Sequence, residues 1–267
     1  MHQDRRVYKA KADVVFLLDV TGSMGKCIQA VKDNLITFAS TLDSELIKIR
    51  DEGPNEPRMI PDIRYKVVGY RDQPTHREDC KWYVNFPFVK TVEELKKQFD
   101  HPDMVVKGGA DEPESLLDAL YMLGSAPQSG IQDVEDPSKW RYAVPKVVAI
   151  FTDATFHLKA TLPEIKDLDI HGVYEKIYKA KLRLFGLVPG WHGYDALSSF
   201  PRTNLTPFIK ADDIPKLGED SAEGSAAQDK LAFALMAYSD PKRDSFKRLI
   251  ESIGCGTSQE VKGYPVD

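Results

Sequence analysis

The amino-acid sequence predicts an α/β fold: a doubly wound, mainly parallel central sheet flanked by helices. Three observations carry this. Short apolar runs rich in β-branched residues alternate with stretches of helical periodicity, the pattern of strand–helix–strand crossovers and so of parallel pairing. Two of the runs, DVVFLLD at 13–19 and PKVVAIFTD at 145–153, are continuously apolar in the middle, as strands buried on both faces must be. Each ends in an aspartate, Asp19 and Asp153, and in an open sheet of this class ligands bind outside the carboxyl ends of the strands.

The remaining elements follow in chain order. After Asp19 the residues Ile28, Val31, Leu35, Phe38 and Leu42 recur at steps of three and four, which places them on one face of a helix expected to begin near Met24. DEGPNEPRMIP, with three prolines and a glycine, breaks that pattern. DIRYKVVGYRD at 62–72 reads as the next strand, and WYVNFPFV at 82–89 as a shorter one, at an edge because Pro87 cannot donate to a ladder. Thr91, followed three residues later by Glu94, is a capping-box start. EPESLLDALYMLG reads as a helix with Pro113 in its first turn and Gly124 past its end. Residues 125–142 read as a polar loop before the strand that ends at Asp153. GVYEKIYKAK and LRLFGLV give a further helix and strand, and helical patterns near 226–238 and 241–253 close the series. One domain over 1–267 is expected, with its core at about 12–190 and a C-terminal extension with helices at about 191–267.

Composition narrows the functional classes. Lys plus Arg number 36 and Asp plus Glu 41, so the net charge of −5 argues against a general nucleic-acid binder, which needs a basic surface for phosphate contacts. No apolar run approaches the roughly 18 residues of a membrane span, and MHQDRRVYKAKAD lacks the apolar core of a signal peptide. Three cysteines, Cys27, Cys80 and Cys255, without CxxC spacing fit a reducing compartment better than a disulfide framework. The expectation is a soluble, cytoplasmic protein without a membrane or nucleic-acid partner.

Asp19 could be a nucleophile, a metal ligand or a helix cap. A lone strand-end aspartate is usually the cap of the helix behind it. Here Thr21 and Ser23 alternate behind Asp19, and hydroxyls two and four residues beyond a carboxylate in a turning loop can face one centre. Oxygen-only ligands suit a hard cation such as Mg²⁺. These residues carry a resemblance. DVTGSM resembles the D-x-[ST]-x-S segment of the metal-ion-dependent adhesion site of von Willebrand factor A (vWA) domains, and FTDA resembles that site's later strand-end aspartate. The similarity extends over about 12–190 and is greatest to intracellular vWA domains.

The resemblance implies a Rossmann-like fold and a divalent ion, Mg²⁺ or else Mn²⁺ or Ca²⁺, surrounded directly or through water by Asp19, Thr21, Ser23 and Asp153. The family's remaining ligand, usually a loop threonine, aligns with Asp111 in GGADEPE, a departure that adds a third carboxylate. The function it implies is non-enzymatic: a protein-binding domain whose metal takes an Asp or Glu side chain of a partner. Two other readings stay open. DVTGS also resembles the segment in which P-type ATPases and haloacid-dehalogenase-like phosphotransferases phosphorylate the first aspartate, here Asp19, although FTDATFH offers no second acid. A scaffold with a vestigial metal site is the other. GSMGKC departs from a P-loop at Val20 and Cys27. His76, Asp79 and Cys80 match no common zinc spacing. His157 is a rim residue, a cap or a solvated side chain; Arg71 and Asp72 either order the metal loops or pair as surface ions. Trp191 and Tyr194 either anchor a partner or pack beneath their loop.

Overall fold

The structure, a computed structural model, describes residues 7–26, 28–48, 58–73, 80–107, 113–130, 135–209 and 226. Its centre is β1 (Val7–Asp19), flanked by β2 (Arg58–Tyr70) and β4 (Lys146–Phe151), both parallel to it. The alternation of β1 explains why it reads as apolar throughout. Val14, Phe16 and Leu18 join the core formed with Val31, Leu35 and Phe38 of α1 (Ile28–Lys48). Val15 and Leu17 join the opposite core, beneath α3 (Leu116–Ser125) and α4 (Ile170–Lys179). A strand covered on both faces has no position for a polar outward residue.

Among the described residues, with β5 (Leu182–Pro189) and β6 (Thr203–Ile209) completing the sheet, the strands run in the order β3-β2-β1-β4-β5-β6, and β3 (Tyr83–Asn85) is antiparallel to β2. The chain therefore winds outward from β1 to β3 and returns to begin again at β4. Between β1 and β4 lies the point where the winding reverses, and there the helices diverge and leave a crevice at the carboxyl ends. The expected fold class stands. α2 (Val92–Phe99) begins at Thr91, whose hydroxyl accepts from the Glu94 N–H at 3.2 Å as the capping signal predicts. Among the described residues no helix is long and apolar enough to cross a membrane.

Several expectations are corrected. A 3-10 turn, Gly22–Lys26, precedes α1, so the α-helix begins later than Met24. Pro87 stops β3 at Asn85 instead of sitting within it, and β3 is an edge strand. α3 begins at Leu116 with Pro113 outside it, because the chain at Glu114 is instead paired to Phe156 as an isolated bridge. Gly124 lies inside the last turn of α3. A Cβ there would come within 3.1 Å of the Ile177 backbone nitrogen, so the glycine serves close packing of α3 on α4. β5 (Leu182–Pro189) is followed by α5 (His192–Ser198) and by β6 (Thr203–Ile209), a parallel strand that the apolar pattern did not disclose. The helical patterns near 226–238 and 241–253 lie outside the described residues apart from Ala226.

The loop after α3 is not a simple polar connection. Trp140 and Arg141 within it are buried, and Arg141 donates from its backbone N–H and its Nε to Asp13 at 2.8 Å each. Arg64 adds a bidentate pair to the same carboxylate, at 2.9 and 2.8 Å. One fully buried aspartate, level with the first residue of β4, thus binds two guanidinium groups on the side away from the crevice.

Candidate functional site

At its carboxyl end β1 delivers Asp19, beside Tyr70 of β2 in register and beside β4, whose last residue Phe151 is followed by Thr152 and Asp153. Asp19 is fully buried. Its Oδ1 accepts the Thr21 N–H at 2.9 Å and the Thr21 hydroxyl at 2.6 Å, and its Oδ2 accepts the Thr152 hydroxyl at 2.8 Å. The carboxylate therefore does not cap α1, whose first residue is Ile28. Burial pushes its proton affinity up, while the hydrogen bonds from Thr21 and Thr152 and the positive charge of Arg71 oppose that shift.

The chain of contacts continues outward. The Thr21 and Ser23 hydroxyls lie 3.3 Å apart, and Ser23 donates to Asp153 Oδ1 at 2.9 Å. Thr152 accepts from the Ala154 N–H at 3.1 Å, which turns the chain directly behind Asp153. Thr152, Asp19, Thr21, Ser23 and Asp153 thus form one connected polar line across the two strand ends. Four of the five residues expected at the site come together there, with Ser23 exposed and Asp153 buried. Asp111 lies outside the described residues.

Glu114 is the residue that sequence reasoning did not single out. Its backbone pairs with the segment behind Asp153: the Glu114 N–H donates to Thr155 O at 3.0 Å, and the His157 N–H donates to Glu114 O at 3.1 Å. That pairing carries a carboxyl group into the crevice. It is buried, and its Oε2 has no hydrogen-bond partner. Burial first, then the charges of Asp19, Asp72 and Asp153, push its pKa up to about 10, against a smaller opposing pull from the Thr21 hydroxyl. The hydroxyl of Tyr70 is likewise buried without a partner, and burial with the charge of Asp19 raises it well above its ordinary value.

The open choices at the rim resolve in favour of order. Arg71 is buried and donates to Lys81 O at 2.5 Å, to Asp103 O at 2.8 Å and to Val105 O at 2.6 Å, so it fixes the neighbouring loops. Asp72 is buried as well; it accepts from Ser115 Oγ at 3.1 Å and lies 2.9 Å from His157 Nε2. Tyr194 is buried and donates to Ala154 O at 2.7 Å, while the half-buried Trp191 packs edge-on against Phe156 at 4.9 Å. Both aromatics support the loop that follows Asp153. Cys80 is half-buried, and His76 and Asp79 lie outside the described residues.

The donor set decides what the crevice can hold. Among the described residues no three His, Cys, Asp or Glu side chains form a cage for a metal ion, so a cation there would need the hydroxyls of Thr21 and Ser23 with the carboxylates. Such a set offers only oxygen, which fits Mg²⁺, Mn²⁺ or Ca²⁺. The unpartnered Glu114 oxygen beside Asp19 and Asp153 fits a cation in this crevice, since a buried polar atom without a partner costs free energy.

No protein-family model matches the chain, and no curated protein matches it. Solved structures resemble it at low identity. The pilus adhesin SpaC from Lactobacillus rhamnosus GG, in an open conformation, gives a TM-score of 0.50 at 12% identity, over 94% of this chain and 30% of that one. Proximal thread matrix protein 1 from the mussel byssus gives 0.46 at 14% identity in one crystal form, over 85% of this chain and 49% of that one. A structure of the same mussel protein with a zinc-occupied MIDAS motif gives 0.44 at 16% identity, with the same coverage. The chain spans about half the length of the mussel protein and under a third of the adhesin. The adhesin likeness bears on the fold alone.

Proposed function

We propose that this chain is a vWA-type domain that binds a divalent cation at the crevice between β1 and β4 and uses it to hold a carboxylate of a protein partner. The observation that carries the reading is the convergence of oxygens at the two strand ends, with Thr152 and Thr21 donating to Asp19, Ser23 donating to Asp153 and the two hydroxyls of Thr21 and Ser23 adjacent, next to the unpartnered oxygen of Glu114. Asp19, Thr21, Ser23 and Asp153 would hold the ion, with Asp111, which aligns with the family's loop ligand, as a further carboxylate. When bound, the ion supplies a positive Lewis-acidic point that a partner's Asp or Glu can reach.

The chain's own residues do the arranging. Thr152 occupies one oxygen of Asp19 and Thr21 the other, which fixes the orientation of the carboxylate. Ser23 ties the loop after β1 to the loop after β4. Several buried carboxylates close together repel one another, and a divalent charge among them relieves that repulsion. A phosphotransferase built on Asp19 fits less well. Such an enzyme needs a second acid close behind its later strand-end aspartate, and FTDATFH behind Asp153 supplies none.

Thermal unfolding with and without Mg²⁺ tests the reading. An ion at one hundred times its Kd adds about 2.7 kcal/mol to the native state, which for a domain of this size raises Tm by roughly 5–10 °C. The double substitution Asp19→Ala with Ser23→Ala removes the increment. An equal increment in the double variant refutes the assignment.

A further inference from the structure

The crevice is bordered by two segments that each carry one exposed aliphatic residue and one exposed lysine, and from them we infer the kind of partner it takes: an acidic segment whose central carboxylate is flanked on both sides by apolar residues. The inference rests on the metal-dependent reading above and extends it to the surface around the site. On one side the segment 105–107 is fastened to the loop after β1, with the Lys107 N–H donating to Val20 O at 3.1 Å and Arg71 holding Val105 O. On the other side the segment 154–159 follows Asp153, anchored by Tyr194 at Ala154 and by the Glu114 backbone at His157. Both are therefore held in place before anything binds.

Each segment presents one aliphatic side chain and one lysine to solvent. Val105 is 49% exposed and Leu158 46% exposed, and Lys107 and Lys159 are exposed beside them. Neither 104–107 nor 154–160 contains an acidic residue. The carboxylates Asp19, Asp72, Glu114 and Asp153 all lie buried beneath. A divalent ion and the buried Arg71 together offset three of these four negative charges, and the two lysines then leave the face positive enough to complement a partner with more than one acidic residue. The two aliphatic side chains give that partner apolar surface to cover, and fixed apolar positions next to a buried polar contact are where interface energy concentrates. The lysines, at the edge and solvated, act on the rate of encounter and its salt dependence.

The test uses a defined probe, a fluorescein-labelled peptide Glu-Glu-Leu-Asp-Leu-Glu-Glu, with binding read by anisotropy in saturating Mg²⁺. Wild-type protein binds it, and EDTA or a central Asp-to-Asn change abolishes binding. Replacing both leucines of the peptide by serine weakens binding about tenfold, the loss expected when two half-exposed aliphatic side chains lose their cover. The surface variant Val105→Ser with Leu158→Ser loses the same factor with the parent peptide and nothing further with the serine peptide. Lys107→Gln with Lys159→Gln flattens the salt dependence. An unchanged Mg²⁺ response in thermal unfolding certifies that each variant is folded with its site intact. If EDTA abolishes binding but the leucine and serine changes on both sides leave it within twofold, the rim inference is overturned and the metal site stands. Binding that survives EDTA overturns both. Failure of wild-type protein with an intact metal response to bind any probe overturns the rim inference.

Discussion

Glu114→Gln removes one buried charge-bearing group while keeping its shape, and it should change how stability depends on pH. In the metal-free fold the Glu114 carboxyl holds its proton to about pH 10, whereas its ordinary value is 4.5. Between these limits the native state binds a proton that the unfolded chain does not. Stability from this group is therefore complete below pH 4.5 and is lost as pH rises toward 10, at up to about 1.36 kcal/mol per pH unit. At pH 7 the loss spans 2.5 pH units from the ordinary value of 4.5, or about 3 kcal/mol. Glutamine carries no proton to lose, so the variant lacks this slope and gains on wild type as pH rises. Urea unfolding in EDTA at pH 5, 6, 7, 8 and 9 measures it, provided the slope m is the same for both proteins. Parallel pH profiles for wild type and Glu114→Gln would mean instead that the buried carboxyl is ionised in the fold as it is in the unfolded chain.

Other consequences follow from particular contacts. Asp13→Asn leaves Arg64 and Arg141 buried without their shared charge, and should cost about 3–5 kcal/mol in denaturant unfolding; a loss below about 1 kcal/mol would show that water reaches the arginines. Burial lowers Lys66 from 10.5 to about 8, so wild-type stability gained by neutralising it rises between pH 8 and 10.5, and Lys66→Met abolishes that rise in the same assay. Gly124→Ala forces a Cβ to within 3.1 Å of the α4 backbone and should destabilise by about 1–3 kcal/mol, despite alanine's better helix propensity; a more stable variant would show that α3 and α4 can separate freely.

What the sequence disclosed about this site was local. Asp19 and Asp153 were visible because each follows a continuously apolar strand, and Thr21 and Ser23 because they alternate within four residues of Asp19. Periodicity also revealed α1, since Ile28, Val31, Leu35 and Phe38 are all buried. What it did not disclose depends on contacts between distant segments. Glu114 enters the crevice through its pairing with Phe156, and nothing in EPESLL distinguishes a buried acid from the first turn of an amphipathic helix. Asp13 stands at the start of DVVFLLD with nothing around it to mark a role, whereas two arginines from other segments make it a buried anchor. β6 was obscured because TNLTPFI alternates with polar residues and contains a proline, as an edge strand can. Thr152 was read only as part of FTD, although its hydroxyl joins the two strand ends.

The central claim is that one divalent ion sits among Asp19, Thr21, Ser23 and Asp153. Electron paramagnetic resonance of Mn²⁺ tests it directly, because the sharp signal of the free ion disappears on binding and can be titrated against protein concentration. Wild type is expected to take up one Mn²⁺ per chain, displaced by excess Mg²⁺, and Asp19→Ala plus Ser23→Ala to leave the free signal undiminished. Unaltered stoichiometry and affinity in that double variant would contradict it.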